Sequence, residues 1–372
     1  MPSAALSIAI SARMDEFAER LLTWHDQHGR KDLPWQQDIT PYRVWLSEIM
    51  LQQTQVATVI GYFNRFVDRF PTVDELARAD LDEVLHLWTG LGYYARARNL
   101  HKTAVTIVAT HDGQFPNSQD QLEALPGIGR STAGAIRAIA MQQHATILDG
   151  NVKRVLARYH AQAGYLGVTA VAQQLWRYAE MHTPKKRTNI YTQAIMDLGA
   201  TICSRRKPLC GSCPVASGCA AYREGTTEAY PERKPKTEKP IREARFFVVT
   251  QKSGATLLEQ KPADGLWGGL WTPPERPIEQ SPDSFITELG YSSEQMESAH
   301  IAPRFRHTFT HFHLDIEPVY IQVAGDPSLV REGLEQRWVF PEHLTSGNER
   351  IGLSAPAVKL IASLQPPFAE NA

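Results

Sequence analysis

The sequence predicts a two-domain protein, an all-helical domain followed by an α+β domain, and three observations carry that prediction. The chain has 372 residues, too many for one ordinary hydrophobic core and enough for two. Over roughly the first 220 residues apolar side chains recur at helical spacing with almost no strand signal. The texture then changes to YPERKPKTEKPIREAR over 230–245, rich in proline and charge, and beyond it come β-branched and aromatic runs.

The elements follow in order. Phe17, Leu21, Trp24 and His28 share one helical face. Thr40 and Pro41 pair an N-cap with a first-turn proline and open a long helix through Val44, Trp45, Leu46, Ile49, Met50 and Leu51. Further helical runs are expected at about 73–87, 95–110, 131–141, 152–159, 171–181 and 190–202. These give a first domain over 1–229, a linker over 230–244 and a second domain over 245–372. In the second domain strands are expected at about 246–250, 255–259, 305–316, 319–323 and 337–340, with helical pieces near 283–289 and 356–364. There is no internal repeat.

Composition narrows the class. At 42% hydrophobic and 21% charged residues the chain is neither disordered, collagenous nor a coiled coil. No run reaches the roughly 18 apolar residues of a membrane span, and the short apolar stretch at 4–10 contains Ser7 and has no basic residue before it. The expectation is a soluble, cytoplasmic protein. The net charge of −1 hides an asymmetry, because residues 1–230 carry 24 Lys+Arg against 21 Asp+Glu and the remainder 15 against 19. Within 149–210 there are 10 basic residues and 3 acidic ones, which leaves room for a polyanionic partner.

All four cysteines, Cys203, Cys210, Cys213 and Cys219, fall inside seventeen residues. Disulfide scaffolding would spread them, so four thiolates converging on a metal centre is the better reading. The spacing C-x6-C-x2-C-x5-C leaves iron–sulfur and zinc both open. Ser204, Arg205, Arg206 and Lys207 between them form a basic loop that a metal would rigidify.

Three further places can carry chemistry. The segment LPGIGRSTAGAI, 125–136, joins two helical runs through a turn where Gly127 and Gly129 let backbone approach a ligand. With Ser131 as its cap, the next helix start would offer N–H groups to a phosphate; a plain corner between two helices is the alternative. Glu48 lies among Trp45, Leu46, Ile49, Met50 and Leu51, where desolvation would raise its pKa and suit it to acid catalysis. A buried ion pair with Arg43 or Arg98 would explain it equally. Asp149, in ILDGNVKRVLARY, is an N-cap candidate; the same backbone donors would keep it ionised. One protonated and one ionised carboxyl is the pairing that cleavage through an oxocarbenium-like state requires.

Taken together, LPGIGRSTAG, LDGNVKRVL, WLSEIMLQQTQV, LWTGLGYYARARNLHK and the cysteine spacing resemble the helix-hairpin-helix DNA glycosylase superfamily, and within it the adenine DNA glycosylases of the MutY type, over about 15–364. The resemblance implies a helix-hairpin-helix glycosylase domain whose four cysteines hold a [4Fe-4S] cluster in a loop. It implies duplex DNA with adenine opposite 8-oxoguanine or guanine as partner and substrate, bound by a monomer in the bacterial nucleoid, with the adenine extruded for reaction. On this likeness Glu48 protonates the departing adenine and then activates water, while Asp149 stabilises or traps the oxocarbenium ion. Gln53 and Tyr93 would meet the base stack, and Trp35 and Gln193 the adenine pocket. Ser131 stands where lyase-competent relatives carry a lysine, implying a monofunctional enzyme, with Lys153 a source of weak adventitious trapping.

The second half resembles a Nudix-type recognition domain, best in GLWGGLWTPP, but lacks the glutamate-rich helix of a working hydrolase, so pyrophosphohydrolase activity is not expected. In FRHTFTHFHLDI, 305–316, a single strand would align His307, His311, His313 and Asp315 on one face, a conceivable metal site. The resemblance instead makes Phe309, Thr310 and His311 a loop tip probing 8-oxoguanine.

Overall fold

The computed structural model describes residues 3–234, 238–325, 335–346 and 349–364, with side chains from 16 onward except at 345 and 346. The chain divides into two compact units, one of 1–77 with 102–236 and one of 78–101 with 237–372.

The helices are α1 (Ser3–His28), α2 (Pro41–Leu51), α3 (Val56–Arg69), α4 (Val73–Arg78), α5 (Leu81–Trp88), α6 (Ala95–His111), α7 (Gln119–Glu123), α8 (Arg130–Ala135), α9 (Gly150–Tyr159), α10 (Thr169–His182), α11 (Thr188–Asp197) and α12 (Ala220–Arg223). Thr40 caps α2, its hydroxyl accepting from the Arg43 amide, with Pro41 in the first turn. Asp149 caps α9 in the same way. The expected helix over 73–87 is broken into α4 and α5, and α3 was not expected at all. Both α8 and α11 continue as π-helical turns, Ile136–Ala140 and Leu198–Ile202, a form that recurs beside functional sites. The first unit packs around Trp45, Leu46, Phe63, Phe66 and Phe70, none of which reaches solvent.

The second unit is built on a mixed sheet of β1 (Ile241–Gln251), β2 (Thr256–Gln260), β3 (Trp271–Thr272), β4 (Glu275–Arg276), β5 (Met296–Ile301), β6 (Phe305–Thr308), β7 (His313–Val323) and β8 (Gln336–Val339). The central order is β3-β2-β1-β7-β5, with β4 on β1, β6 on β7 and β8 on β2. β1 and β7 run parallel over eleven paired residues. Phe247 and Val249 point into one core with Phe285 of α13 (Pro282–Glu288), whereas Leu258 and Trp271 join a second core with Ala357 and Ile361 of α15 (Ala355–Ala362). The short α14 (Pro341–Ser346) lies between β8 and α15 in sequence. A strand buried on both faces reads as an unbroken apolar run, as FFVV does here.

Three expectations change. β1 starts at Ile241, inside the stretch read as linker, because its first residues pair with β7. The run 305–316 is a hairpin, not one strand. The runs read as ending at 316 and starting at 319 are one strand, β7. Pro318 interrupts the pattern where the neighbouring strand changes from β6, paired at Ile316, to β5, paired at Val319, so its missing N–H costs no ladder bond on that side.

Candidate active site

The first unit holds a cavity of about 840 Å³ lined by Glu48, Asp149, Trp35, Gln53, Ser131 and Gln193 among others. Each comes from a different local construction. Glu48 lies in the last turn of α2 beside buried Trp45, Ile49 and Met50. Trp35 sits in the 3-10 turn Pro34–Gln36, its ring edge-on to Phe63 at 5.5 Å. Gln193 comes from α11, and its Oε1 accepts from Gln36 Nε2 at 3.4 Å. Gln53 holds the turn between α2 and α3 with φ +58°, a backbone state costly for glutamine and found most often at functional sites.

Among the ion pairs of the described residues Glu48 has neither arginine that the sequence offered to it. Arg43 donates to the Pro34 carbonyl and lies over Phe63, and Arg98 donates to the Gly268 carbonyl. Burial, and secondarily the Asp149 charge, push the Glu48 carboxyl up to about 8. At neutral pH it therefore holds its proton.

Asp149 Oδ1 accepts the Val152 amide at 2.7 Å. The backbone donors were expected to keep it firmly ionised, but burial outweighs them and Arg154 and Lys153, and its pKa lies above the ordinary aspartate value. The carboxyl sits in a cavity wall rather than at an open helix end and is correspondingly less solvated.

The hairpin between α7 and α8 turns at Gly127, φ +76°, a conformation glycine adopts without strain. Gly129, not Ser131, is the N-cap of α8. Ser131 instead accepts the Leu148 amide at 3.0 Å and so fastens the hairpin to the residue before Asp149. A Cβ at Gly129 would meet nothing within 4 Å, so the turn presents open backbone. Gly127, Gly129 and Lys153 are adjacent to the cavity in sequence but do not line it.

Some lining residues had not been singled out. Arg154 reaches the cavity and donates to the Asn151 side chain and to the Gly199 and Cys203 carbonyls. Arg30 grips buried Asp197 through Nε and Nη2. The sequence signal for Arg154 was its place one turn beyond Asn151; Arg30 and Asp197, 167 residues apart, had none.

The four cysteines line a second, small cavity of about 30 Å³ with Val155, Leu198, Ile202 and Val215. Arg158 donates to Cys203 Sγ at 3.3 Å and to the Ser204, Arg205, Thr227 and Tyr230 carbonyls. Burial lifts the Cys213 thiol to about 12 and raises Cys210 and Cys219, with the other cysteine sulfurs adding to each shift. Among the described residues no three ligating side chains form a closed metal-binding group; the sulfurs surround a space instead.

The remaining residues named from the sequence lie in the second unit. Tyr93 is 49% exposed and has φ +52°. Phe309, Thr310 and His311 form the tip of the β6–β7 hairpin, with Thr310 and His311 exposed. The aligned-histidine metal face does not form, because His311 is in the tip, Asp315 is taken by Arg306, and His313 Nδ1 bonds the Thr308 hydroxyl. The carboxylates Glu259 and Glu288 are both engaged by Arg276; a cation there would have to displace that guanidinium.

Comparison with known proteins agrees with this architecture. The family described as HhH-GPD superfamily base excision DNA repair protein matches residues 46–181, and the NUDIX domain family matches 245–363. The adenine DNA glycosylase of Buchnera aphidicola subsp. Baizongia pistaciae (strain Bp) is 36% identical over 349 residues, covering 94% of this chain and 97% of its own. The Homo sapiens adenine DNA glycosylase is 34% identical over 390 residues, covering 89% and 71%. Among solved structures, that of a thermostable thymine-DNA glycosylase superposes with a TM-score of 0.52 at 26% identity, covering 57% of this chain and 98% of the other. Among the described residues no helix is long and apolar enough to cross a membrane.

Proposed function

The chain belongs to the adenine DNA glycosylases of the helix-hairpin-helix base excision repair superfamily, and on that premise we propose that its substrate is adenine opposite 8-oxoguanine or guanine in duplex DNA. As a member of that family it hydrolyses an N-glycosyl bond; the mispair, the residues and the cofactor below are our reading. The observation that carries it is Glu48 and Asp149 on one cavity, with Glu48 held protonated up to about 8. A cavity of about 840 Å³ is of the size that encloses a small ligand, and adenine can enter it only when extruded from the stack.

Glu48 donates its proton to a ring nitrogen of the adenine. The sugar–base bond then breaks with its electron pair leaving on the base, and positive charge develops on the sugar. Asp149 faces that charge as an anion. Water adds to the sugar carbon and gives its proton to the Glu48 carboxylate, which restores the acid and leaves an abasic site. Trp35 and Gln193 line the base pocket, and Gln53 and Tyr93 meet the duplex. Gly127, Gly129 and the start of α8 approach the phosphate backbone, a contact that positions without reading sequence. Ser131 offers no amine, and Lys153 lies outside the cavity lining, which supports a monofunctional enzyme.

We assign a [4Fe-4S] cluster to Cys203, Cys210, Cys213 and Cys219. The residues fit it: four sulfurs around one apolar space, and an arginine donating to one of them, as outer-sphere donors to cluster sulfur do. A bound cluster would cross-link the basic loop; Arg158, through the carbonyls it holds, shapes that loop, and Arg205 from it lines the active cavity. A cytoplasmic enzyme acting on the nucleoid is in keeping with this chemistry.

The test is an end-labelled duplex with one A:8-oxoguanine pair. Scission at the adenine is expected only after alkali, and is expected to vanish in Glu48→Gln and Asp149→Asn. Scission without alkali, or full activity in either variant, contradicts the reading.

A further inference from the structure

We propose that the loop over 261–270 is a common mount for two groups, the Tyr93 turn placed above at the duplex and the Phe309–His311 tip that the family resemblance places at 8-oxoguanine, with Trp267 as the positioning residue on the tip side. The inference rests on the reading that both groups face the duplex.

On the tip side, Trp267 is buried, 8% exposed, yet has φ +56°, a costly conformation for a bulky side chain. Its ring lies 5.3 Å from Phe309 and 5.8 Å from His307. Phe309 in turn stacks on Phe312 at 4.6 Å and closes the hairpin through its amide to the Phe312 carbonyl. The tip thus stands on the Trp267 ring, while Thr310 and His311 remain exposed.

On the other side, the same loop holds the segment that carries Tyr93. The Gly268 carbonyl accepts Arg98 Nη1 at 2.8 Å, and a side chain at Gly268 would strike the Ala263 carbonyl at 2.1 Å. Gln260 and Trp271, flanking the loop, both donate to the Asp82 carboxylate at 3.2 Å. Tyr94, next to Tyr93, donates to the Leu353 carbonyl, and Leu353 is bridged to Trp271. One ten-residue loop, pinned to itself by Leu270 donating to Trp267 and Gly269 to Lys261, therefore touches the tip and is tied to the segment that carries Tyr93. Residues that only filled a core would need neither the strained Trp267 backbone nor polar ties to a loop carbonyl.

A shared mount predicts that a change on one side is felt on the other. Adenine release under single-turnover conditions is compared for A:8-oxoguanine and A:guanine duplexes in the full-length protein, alongside hydrogen exchange at the tip. Trp267→Leu is expected to lower the 8-oxoguanine preference about tenfold. Arg98→Met is expected to speed exchange of the Phe309 amide severalfold, although Arg98 is not among the tip's contacts, and to lower the preference as well. A stable Trp267→Phe is expected to restore most of it. If Phe309→Ala and Tyr93→Ala reduce the preference while Trp267→Leu and Arg98→Met leave both readouts at wild-type values, the mount is refuted and the lesion reading stands. If Phe309→Ala and Tyr93→Ala themselves leave the preference unchanged, the lesion reading fails and the mount with it. Should Trp267→Leu fail to fold, the Arg98→Met exchange result alone decides.

Discussion

At Glu48 the cost of function can be read as stability. Its carboxyl titrates near 8 in the folded protein against an ordinary 4.5, so between those values the folded chain binds a proton that the unfolded chain has released. Stability is then greatest at or below about pH 4.5 on this account, falls as pH rises, and levels off above about 8. At about 1.4 kcal/mol per unit the penalty reaches up to about 5 kcal/mol at alkaline pH. Glu48→Gln keeps the shape and removes the charge. It is expected to abolish adenine release while raising the melting temperature, with the gain large at pH 8 and absent near pH 4.5. An equal gain at both pH values would mean that packing, not desolvation of the carboxylate, is the source. Wild-type activity should decline as pH rises through about 8, when the acid loses its proton. On the acid side it should decline from a pH above the ordinary aspartate range, because burial raises Asp149.

Among the elements, the cysteine loop depends on one buried side chain. Arg158 is 3% exposed and donates to four carbonyls and Cys203 Sγ, so Arg158→Met would leave those five acceptors without their buried donor. A cost of about 3 kcal/mol or more is expected, together with loss of iron and sulfide from the purified protein and of the cluster's visible absorbance. Retention of full iron content would show that the thiolates alone organise the loop. How far the elements were legible follows from what marks their ends. α2 and α9 could be read because Thr40 and Asp149 cap them with side chains. α3 could not, since it begins after Gln55 without a side-chain cap and the turn before it uses Gln53 at positive φ with neither glycine nor proline. β5 was missed because nearly all its residues are exposed and show no alternation. Glu48 and Asp149 were legible as chemistry, but that Arg43 and Arg98 are engaged by backbone carbonyls was not, because sequence distance does not say where their side chains point.

For the molecule as a whole, the sheet unit's hold on 78–101 was illegible, since that segment reads as helix like its neighbours and its ties run through Asp82, Arg98 and backbone carbonyls. The charge asymmetry, by contrast, was open to view. Ten cations in 149–210 against three anions, within a chain of net charge −1, confine the attraction for phosphate to one stretch. Binding to DNA should therefore weaken steeply with salt, since each neutralised phosphate releases counterions. Arg205 lines the active cavity and has no carboxylate partner among the ion pairs of the described residues. Arg205→Gln is expected to weaken binding to mispaired and fully paired duplexes alike and to reduce the slope of log affinity against log salt by about one. The measurement is an affinity series between about 50 and 200 mM salt on both duplexes. A loss confined to the mispaired duplex, or an unchanged slope, would place Arg205 at the extruded base and not at the backbone, and would move the source of non-specific affinity to the other cations of this stretch.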